Sequence, residues 1–194
     1  VRNEVILKDM LMHETLRKTG VGASLDYSDP QRAREFHGTC ELRLYETGFV
    51  VIPESGDIVR CPYSEIATVQ QDDVSLTVTT EFGATFTFHH IGGQFDALTK
   101  TLSLLMNELS LKVQATLKEL LPEADPSVLR RAARYMRDGK AAKKSDIESV
   151  SPALWTELEK KLEIVGIREE YDFLKHLAQQ DRLCIGFKRG LMGD

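Results

Sequence analysis

Short runs of alternating apolar and polar residues follow one another between Thr39 and His89. Alternation with a period of two is typical of a β-strand with one buried face, because successive side chains point to opposite sides of a sheet. Glycine, proline and acidic residues separate the runs, at positions such as 46–48 and 53–57 where tight turns are expected. The pattern predicts six strands: Cys40–Tyr45, Phe49–Ile52, Ile58–Cys61, Ile66–Gln70, Val74–Thr80 and Thr85–His89.

The apolar spacing then changes from two residues to three and four. This spacing places the apolar side chains on one face of a helix. It predicts an amphipathic helix from about Gln94 to Leu109, entered through Gly92-Gly93. The stripe consists of Phe95, Leu98, Leu102, Leu105 and Leu109.

The first part of the chain gives a weaker signal. Its apolar residues predict a helix over Val5–Thr19 that stops at Gly20, although the Val-Ile-Leu run at its start also fits a strand. Gly22–Tyr27 is a further strand candidate, and Ser28-Asp29-Pro30 is a turn.

Helical patterns dominate after Leu109. Asp125 and Pro126 form an N-cap and first helical position, and Ser145 and Glu148 have capping-box spacing. Leu183–Phe187 is a short apolar run that fits either a strand docking elsewhere or the stub of a longer chain. The predicted helices are Leu111–Leu121, Val128–Asp138, one from Ser151-Pro152 to Gly166 that carries Trp155, and one over Ile167–Ala178.

A meander of six strands followed by one amphipathic helix resembles the pleckstrin-homology-like (PH-like) superfold, in its short bacterial form. The similarity covers residues 39–109, and Cys61–Ile66 followed by Val74–Thr80 and Thr85–His89 resembles the middle and second half of that fold. It implies a bent seven-stranded sandwich or barrel closed by a C-terminal helix, with the seventh strand supplied by Gly22–Tyr27 or Val1–Lys8. Another small barrel is the alternative. We therefore expect an α+β chain with a PH-like domain at 1–109 and an all-helical domain at 110–194.

The composition indicates what class of protein this is and in which compartment it is expected. The 194 residues contain 42% hydrophobic and 28% charged side chains, which is enough to bury a core. No apolar run approaches the roughly 20 residues needed to span a membrane, and no signal-peptide core is visible. The three cysteines are odd in number and far apart, which favours a reducing, cytoplasmic location.

The resemblance implies one of two ligand classes. PH-like proteins that bind lipids hold inositol phosphates with basic residues of the first hairpin, whereas relatives that bind peptides add them as a strand between a sheet edge and the closing helix. We match the loop Tyr45–Gly48 to the lipid-binding hairpin of those proteins, and the only basic residue near this loop is Arg43. Residues 39–109 also carry three basic and ten acidic side chains, net −7, which repels anionic membranes. We expect no membrane or phosphoinositide binding, and the peptide mode remains open.

The histidines and cysteines form no recognisable reactive constellation. His89 and His90 point to opposite faces of a strand and therefore do not share a metal, and His13, His37 and His176 are isolated. The sequence shows no residue that would lower the pKa of the Cys184 thiol and make it a nucleophile. We expect Cys40 and Cys61 to be small apolar core residues. We expect no catalytic, cofactor-binding or metal-binding residues, no cofactor, and no enzymatic activity.

One basic cluster stands out in the helical half. It has a net charge of +6 over fifteen residues, opposed only by Asp138. Helical spacing is expected to place Arg130, Arg134 and Arg137 on one face, where they could be solvated, meet an acidic protein surface or contact nucleic-acid phosphates. The residues are Arg130, Arg131, Arg134, Arg137, Lys140, Lys143 and Lys144.

The leading hypothesis is a non-enzymatic protein-interaction or adaptor module. The groove beside the closing helix, or the helical half, would bind a protein that the sequence does not identify. The alternative is a nucleic-acid-binding protein that uses the basic helix Arg130–Lys144.

Overall fold

The computed structural model describes residues 2–11, 14–137, 140–179 and 182–186, and divides the chain into two compact units, Val1–Met106 and Asn107–Asp194. The first unit contains one antiparallel sheet with the strand order β4-β3-β2-β1-β7-β6-β5. Its strands are β1 (Leu16–Asp29), β2 (Arg34–Tyr45), β3 (Gly48–Pro53), β4 (Val59–Pro62), β5 (Ile66–Gln71), β6 (Ser75–Thr80) and β7 (Thr85–His89). All six strands predicted from the alternation are present, although Val74 lies outside β6 and is exposed.

The missing seventh strand is β1, which contains the candidate Gly22–Tyr27. It pairs along its length with β2 and, over Ser24–Ser28, with β7, so it joins the two halves of the sheet. The predicted helix over Val5–Thr19 was therefore too long, because helix α1 covers only Arg2–Leu11 and Leu16–Thr19 belongs to β1.

Helix α1 packs on the outer side of the sheet. Leu7 and Leu11 form one buried cluster with Tyr45, Val50 and Ile52. Every residue of β3 is buried, which explains its uninterrupted apolar sequence, since a strand covered on both faces has no solvent-facing positions.

Aromatic rings fill the inner side of the sheet. The Phe49 ring centroid lies 5.2 Å from that of Phe86 and 5.9 Å from that of Phe88, in edge-to-face geometry. Tyr27 from β1 packs against Phe86 at 4.7 Å. These contacts join β3 to β1 and β7 through the core, and aromatic pairs of this kind contribute about 0.5–1.5 kcal/mol each beyond the area they bury.

Helix α2 (Phe95–Leu120) follows the sheet. Leu98, Leu102 and Leu105 of the predicted stripe are buried, while Phe95 and Leu109 are half-buried. The helix does not end at Leu109, because no glycine or proline interrupts the sequence there, and the helix predicted over Leu111–Leu121 is its continuation.

The second unit is largely helical. It contains α3 (Pro126–Tyr135), α4 (Lys144–Val150), α5 (Pro152–Ile164), α6 (Arg168–Leu177) and a two-residue strand pair, β8 (Ala142–Lys143) with β9 (Cys184–Ile185). Its buried cluster includes Leu117, Leu129, Met136, Ile147 and Trp155.

Two details of the helical unit differ from the sequence expectations. The capping box at Ser145 is wrong, because the N-cap of α4 is Lys143 and Ser145 lies within the helix. Strand β8 had no detectable pattern, since two residues are too few to show one. By contrast, Asp125 caps α3 as predicted, accepting a hydrogen bond from the Ser127 N–H at 2.7 Å. Asp138, Gly139 and Phe187 lie outside the described residues.

Candidate protein-binding surface

Strand β5 forms one edge of the seven-stranded sheet. It pairs with β6, and no other described strand lies beside it. Residues 67–71 are all exposed, and their sequence Ala-Thr-Val-Gln-Gln contains no charge and no proline. Such a strand presents unpaired backbone N–H and C=O groups to any chain that can add to the sheet.

The side chain of Val69 shows how this edge is built. Val69 pairs directly with Val78 on β6, which is fully buried, whereas Val69 itself is 39% exposed. The inward face of the sheet therefore continues one strand beyond its covered part. An added strand would contact this apolar position as well as the backbone.

Acidic residues flank the open edge. Glu65 precedes β5 directly, and Asp72 and Asp73 follow it. Residues 61–99 contain five acidic residues and no lysine or arginine. The β5–β7 half of the sheet therefore has a local field that favours a cationic partner.

The opposite edge is protected. Strand β4 has only four residues, ends at Pro62 and carries Arg60. The Arg60 guanidinium donates to the Thr47 hydroxyl at 2.9 Å and pairs with Glu14. Short length, proline and charge are the features by which natural sheets block an edge, so β5 is the edge that remains available.

The basic cluster does not form a single helix. Arg130, Arg131 and Arg134 are exposed on α3, opposite the buried Leu129 and Ala132. Helix α3 ends at Tyr135, so the expected helix Arg130–Lys144 and the shared face including Arg137 are wrong.

The remaining basic residues lie on other elements. Arg137 and Lys140 are half-buried beyond α3, and Lys143 is exposed in β8. Lys144 begins α4, where its ammonium lies 3.6 Å from Glu148 and 6.0 Å from the centre of the Trp155 ring. Four of the seven basic residues are therefore exposed, and three of these four, all arginines, lie on α3.

The first hairpin is not the one expected. Because β1 precedes β2, the first turn covers residues 30–33, between Asp29 and Arg34, and not Tyr45–Gly48. Arg32 and Arg34 lie there, 3.8 Å from Asp29 and 3.9 Å from Asp57 respectively. Arg43, close to the Tyr45–Gly48 loop in sequence, pairs with both oxygens of Glu41 and with Glu4, which raises its pKa.

Sequence reasoning missed one cluster of titratable groups. Asp26 on β1 lies 2.9 Å from His37 Nδ1 on β2 and 3.2 Å from His89 Nε2 on β7. The hydrogen bond from His37 lowers the pKa of Asp26 below its usual range. His90 lies beyond the end of β7, has a positive φ of 55° and contacts the Ser24 hydroxyl at 3.3 Å. Since Ser24 and Asp26 lie on the same face of β1, the expectation that His89 and His90 point to opposite faces is wrong, and their ring centroids are 6.4 Å apart.

The two core cysteines are buried as predicted. Burial raises the pKa of Cys40 to about 11 and of Cys61 to about 12, so both remain thiols at neutral pH. Among the described residues, no group of three or more potential ligands is arranged to hold a metal ion. None of the described helices combines the length and apolar content needed to cross a bilayer.

The sheet and its following helix define the fold of the first unit. Seven antiparallel strands, with β1 joining both halves, lead into one long amphipathic helix. The fold is PH-like. A helical region follows this PH-like unit, and the chain is α+β.

Solved structures that are similar to about half of this chain include the following two. The C-terminal domain of an unknown protein from Leishmania infantum aligns with 55% of this chain and 99% of that chain, at 12% identity and a TM-score of 0.39. The N-terminal PH domain of human ARAP2 aligns with 56% of this chain and 84% of that chain, at 23% identity and a TM-score of 0.32. No protein-family model and no curated protein matches the sequence. Neither structural likeness carries an argument about what this chain binds.

Proposed function

We propose that this protein is a non-enzymatic interaction module whose PH-like unit binds an extended, basic segment of another protein. The segment adds as a strand to the free edge of β5. The observation that supports the proposal is an open edge strand without charge or proline, in a half-sheet without lysine or arginine.

The mode of recognition follows from the edge itself. Backbone hydrogen bonds to β5 supply affinity for any extended chain, and the alternating side chains supply selectivity. Val69 offers an apolar contact, while Glu65, Asp72 and Asp73 favour Lys or Arg at the ends of the segment. A partner of about six to eight residues, alternating β-branched and basic, fits these features.

Selection from a random peptide library tests the proposal while the natural partner is unidentified. Random peptides of about ten residues, displayed on phage, are selected against the whole chain, because this length exceeds the six residues of β5. We expect enrichment of β-branched and basic sequences. Absence of any enriched sequence contradicts the proposal.

A pair of matched variants locates the binding site. Val69→Lys places a charge on the open edge, whereas Leu111→Lys adds the same charge at an exposed position on α2. We expect Val69→Lys to weaken binding of the selected peptides by about tenfold or more, equivalent to about 1.4 kcal/mol. The Leu111→Lys variant should bind like the natural chain. Equal binding by both variants would place the site elsewhere.

The alternative function is nucleic-acid binding through α3. It is supported by the exposure of Arg130, Arg131 and Arg134 on one short helix. Phosphate contacts by arginine depend on salt but not on sequence, which distinguishes this function experimentally from strand addition.

A further inference from the structure

Helix α6 presents its apolar side chains to solvent. None of its residues is buried, and Phe173 and Leu177 are 66% and 71% exposed. Ile167, at the N-cap, and Leu174 are also exposed. We call Ile167, Phe173, Leu174 and Leu177 the α6 stripe. Large apolar side chains that are grouped on an exposed surface usually mark an interaction site.

Polar contacts hold the opposite side of α6 against α5. The Tyr171 hydroxyl and the Lys175 ammonium each donate to Glu159 Oε1 at 2.7 Å. The Arg168 guanidinium donates to the Glu159 backbone carbonyl at 3.0 Å. This arrangement is the reverse of an ordinary surface helix, whose apolar face is packed and whose polar face is solvated. The polar network therefore fixes the orientation in which the stripe faces outward.

A carboxylate lies in the middle of the α6 stripe. Glu170 is exposed, and it comes three residues after Ile167, four before Leu174 and seven before Leu177. Residues with this spacing share one face of a helix. The face also contains a shallow hollow of about 490 Å³, which is lined by Glu169, Glu170, Phe173 and Leu174.

The fixed positive charges of α6 are already paired. Arg168 lies 2.9 Å from Asp172, and Lys175 pairs with Glu159 on α5. Residues 163–177 contain four acidic side chains and only these two basic ones, which gives a net charge of −2 with histidine neutral. The field at the stripe is therefore negative and favours a cationic partner.

The position of Glu170 limits what can cover the stripe. A partner that buries the stripe also removes the Glu170 carboxylate from water, which is strongly unfavourable unless the carboxylate gains a counter-charge or hydrogen bonds. A purely apolar segment supplies neither, and a second α6 would bring a second carboxylate to the same place. A lysine or arginine satisfies both parts of the surface, because its aliphatic stem packs on apolar side chains while its charged end reaches the carboxylate.

We propose that the α6 stripe binds an amphipathic helix of another protein, and that this helix carries a lysine or arginine at the centre of its own apolar stripe. Its apolar residues, spaced by three and four, cover Phe173, Leu174 and Leu177, and its central cation pairs with Glu170. Helix α6 has ten residues and is about 15 Å long, so a partner helix of about ten to fifteen residues covers it. This surface does not include β5, and it therefore adds a second binding site to the proposed function.

Three synthetic peptides test the requirement for a central cation. Each has about fifteen residues, leucines at helical spacing and a polar face of glutamine and lysine. They differ only at the centre of the leucine stripe, which is lysine, leucine or glutamate. Fluorescence anisotropy with the whole chain is expected to show micromolar binding of the lysine peptide, weaker binding of the leucine peptide, and binding of the glutamate peptide that is weaker by about tenfold or more. A lysine peptide that does not bind, or another peptide that binds as tightly, overturns the proposal.

Exchange of the central charge locates the site. Glu170→Lys should weaken binding of the lysine peptide by about tenfold or more and strengthen binding of the glutamate peptide. Glu119→Lys, at an exposed position on α2, changes the net charge equally and should bind like the natural chain. Val69→Lys should also bind like the natural chain, because β5 is not part of this surface. Equal binding of the lysine peptide by Glu170→Lys and Glu119→Lys overturns the assignment to α6.

Removal of one apolar side chain tests the stripe itself. Leu174→Ser is expected to weaken binding of the lysine peptide by about fivefold or more, whereas Leu111→Ser, at an exposed position on α2, should leave it unchanged. Circular dichroism and Trp155 fluorescence establish that each variant is folded. Sedimentation equilibrium of the natural chain distinguishes the remaining occupant, since a dimer that Leu174→Ser abolishes would assign the stripe to a second copy and overturn the proposal.

Discussion

Asp26 illustrates how strand pairing creates a local environment that no sequence pattern shows. Its two histidine neighbours lie 11 and 63 positions later in the chain, and only the register of β1 with β2 and β7 brings them together. The buried cysteines are the opposite case. Cys40 and Cys61 were predicted as core residues because alternation alone assigns them to an inward face.

Neutralising Asp26 should weaken the PH-like unit slightly. We expect Asp26→Asn to lower the free energy of unfolding by up to about 1 kcal/mol at pH 7, because both side-chain contacts are solvent-accessible and screened. The pKa of Asp26 is lower in the folded protein than in the unfolded chain, where it is near 4. The stabilisation by the carboxylate is therefore fully present above about pH 4 and is lost as the pH falls below that value.

Urea unfolding followed by circular dichroism at pH 7 and at pH 3 measures this effect. Asp73→Asn, which neutralises an exposed aspartate in the turn before β6, is the control. If the difference in the free energy of unfolding between the natural chain and Asp26→Asn is larger at pH 3 than at pH 7, the pH dependence expected for Asp26 is wrong.

At the scale of elements, regular strands were predictable and irregular ones were not. The alternation over Thr85–His89 matches β7 residue for residue. Strand β1 was largely missed because its pairing with β2 shifts register between Leu16 and Lys18 and again between Lys18 and Val21, which interrupts the period of two. Gly20, with φ of 71°, lies within the second irregularity and was interpreted as a helix stop.

Glu159 connects two elements of the helical unit. Burial raises its pKa, but hydrogen bonds from Lys175, Tyr171 and Trp155 outweigh burial and lower the pKa to about 2. We expect Glu159→Gln to lower the free energy of unfolding of this unit by about 1–3 kcal/mol at pH 7. Because the folded pKa is depressed, the contribution is fully present above about pH 4.5 and is lost as the pH falls toward 2.

Trp155 provides a selective measurement of that effect. It is the single tryptophan of the chain and lies buried in α5, so its fluorescence during urea unfolding reports on the helical unit. Glu163→Gln, at an exposed position one turn later on α5, is the matched control. An unfolding midpoint for Glu159→Gln equal to that of Glu163→Gln would show that the network contributes little.

At the scale of the whole molecule, charge is divided unevenly along the chain. Residues 39–109 carry a net charge of −7, whereas residues 110–194 carry +2. This division can be read directly from the sequence. The basic cluster, however, was predicted to lie on one helix, because no sequence pattern indicates that α3 ends at Tyr135. The absence of phosphoinositide binding and the boundary after residue 109 stay predictions.

The charge distribution leads us to expect no tight binding to nucleic acid. Three exposed arginines on α3 support few phosphate contacts, and the chain as a whole has a net charge of −5. Filter binding of a short DNA duplex and of single-stranded RNA, at about 50 mM and about 200 mM salt, measures this directly. Retention at low salt that is lost in Arg130→Glu/Arg134→Glu would favour the alternative function.

The absence of lysine between Cys61 and Thr99 has a consequence for regulation. Acetylation, methylation or ubiquitin attachment at a lysine amine therefore cannot occur within β5, β6 or β7. Hydroxyl groups are abundant there, with Thr68 on β5 and Thr77, Thr79 and Thr80 on β6. Phosphorylation of an exposed hydroxyl such as that of Thr68 is a covalent modification that this half of the sheet can accept, and the added phosphate would deepen its negative charge.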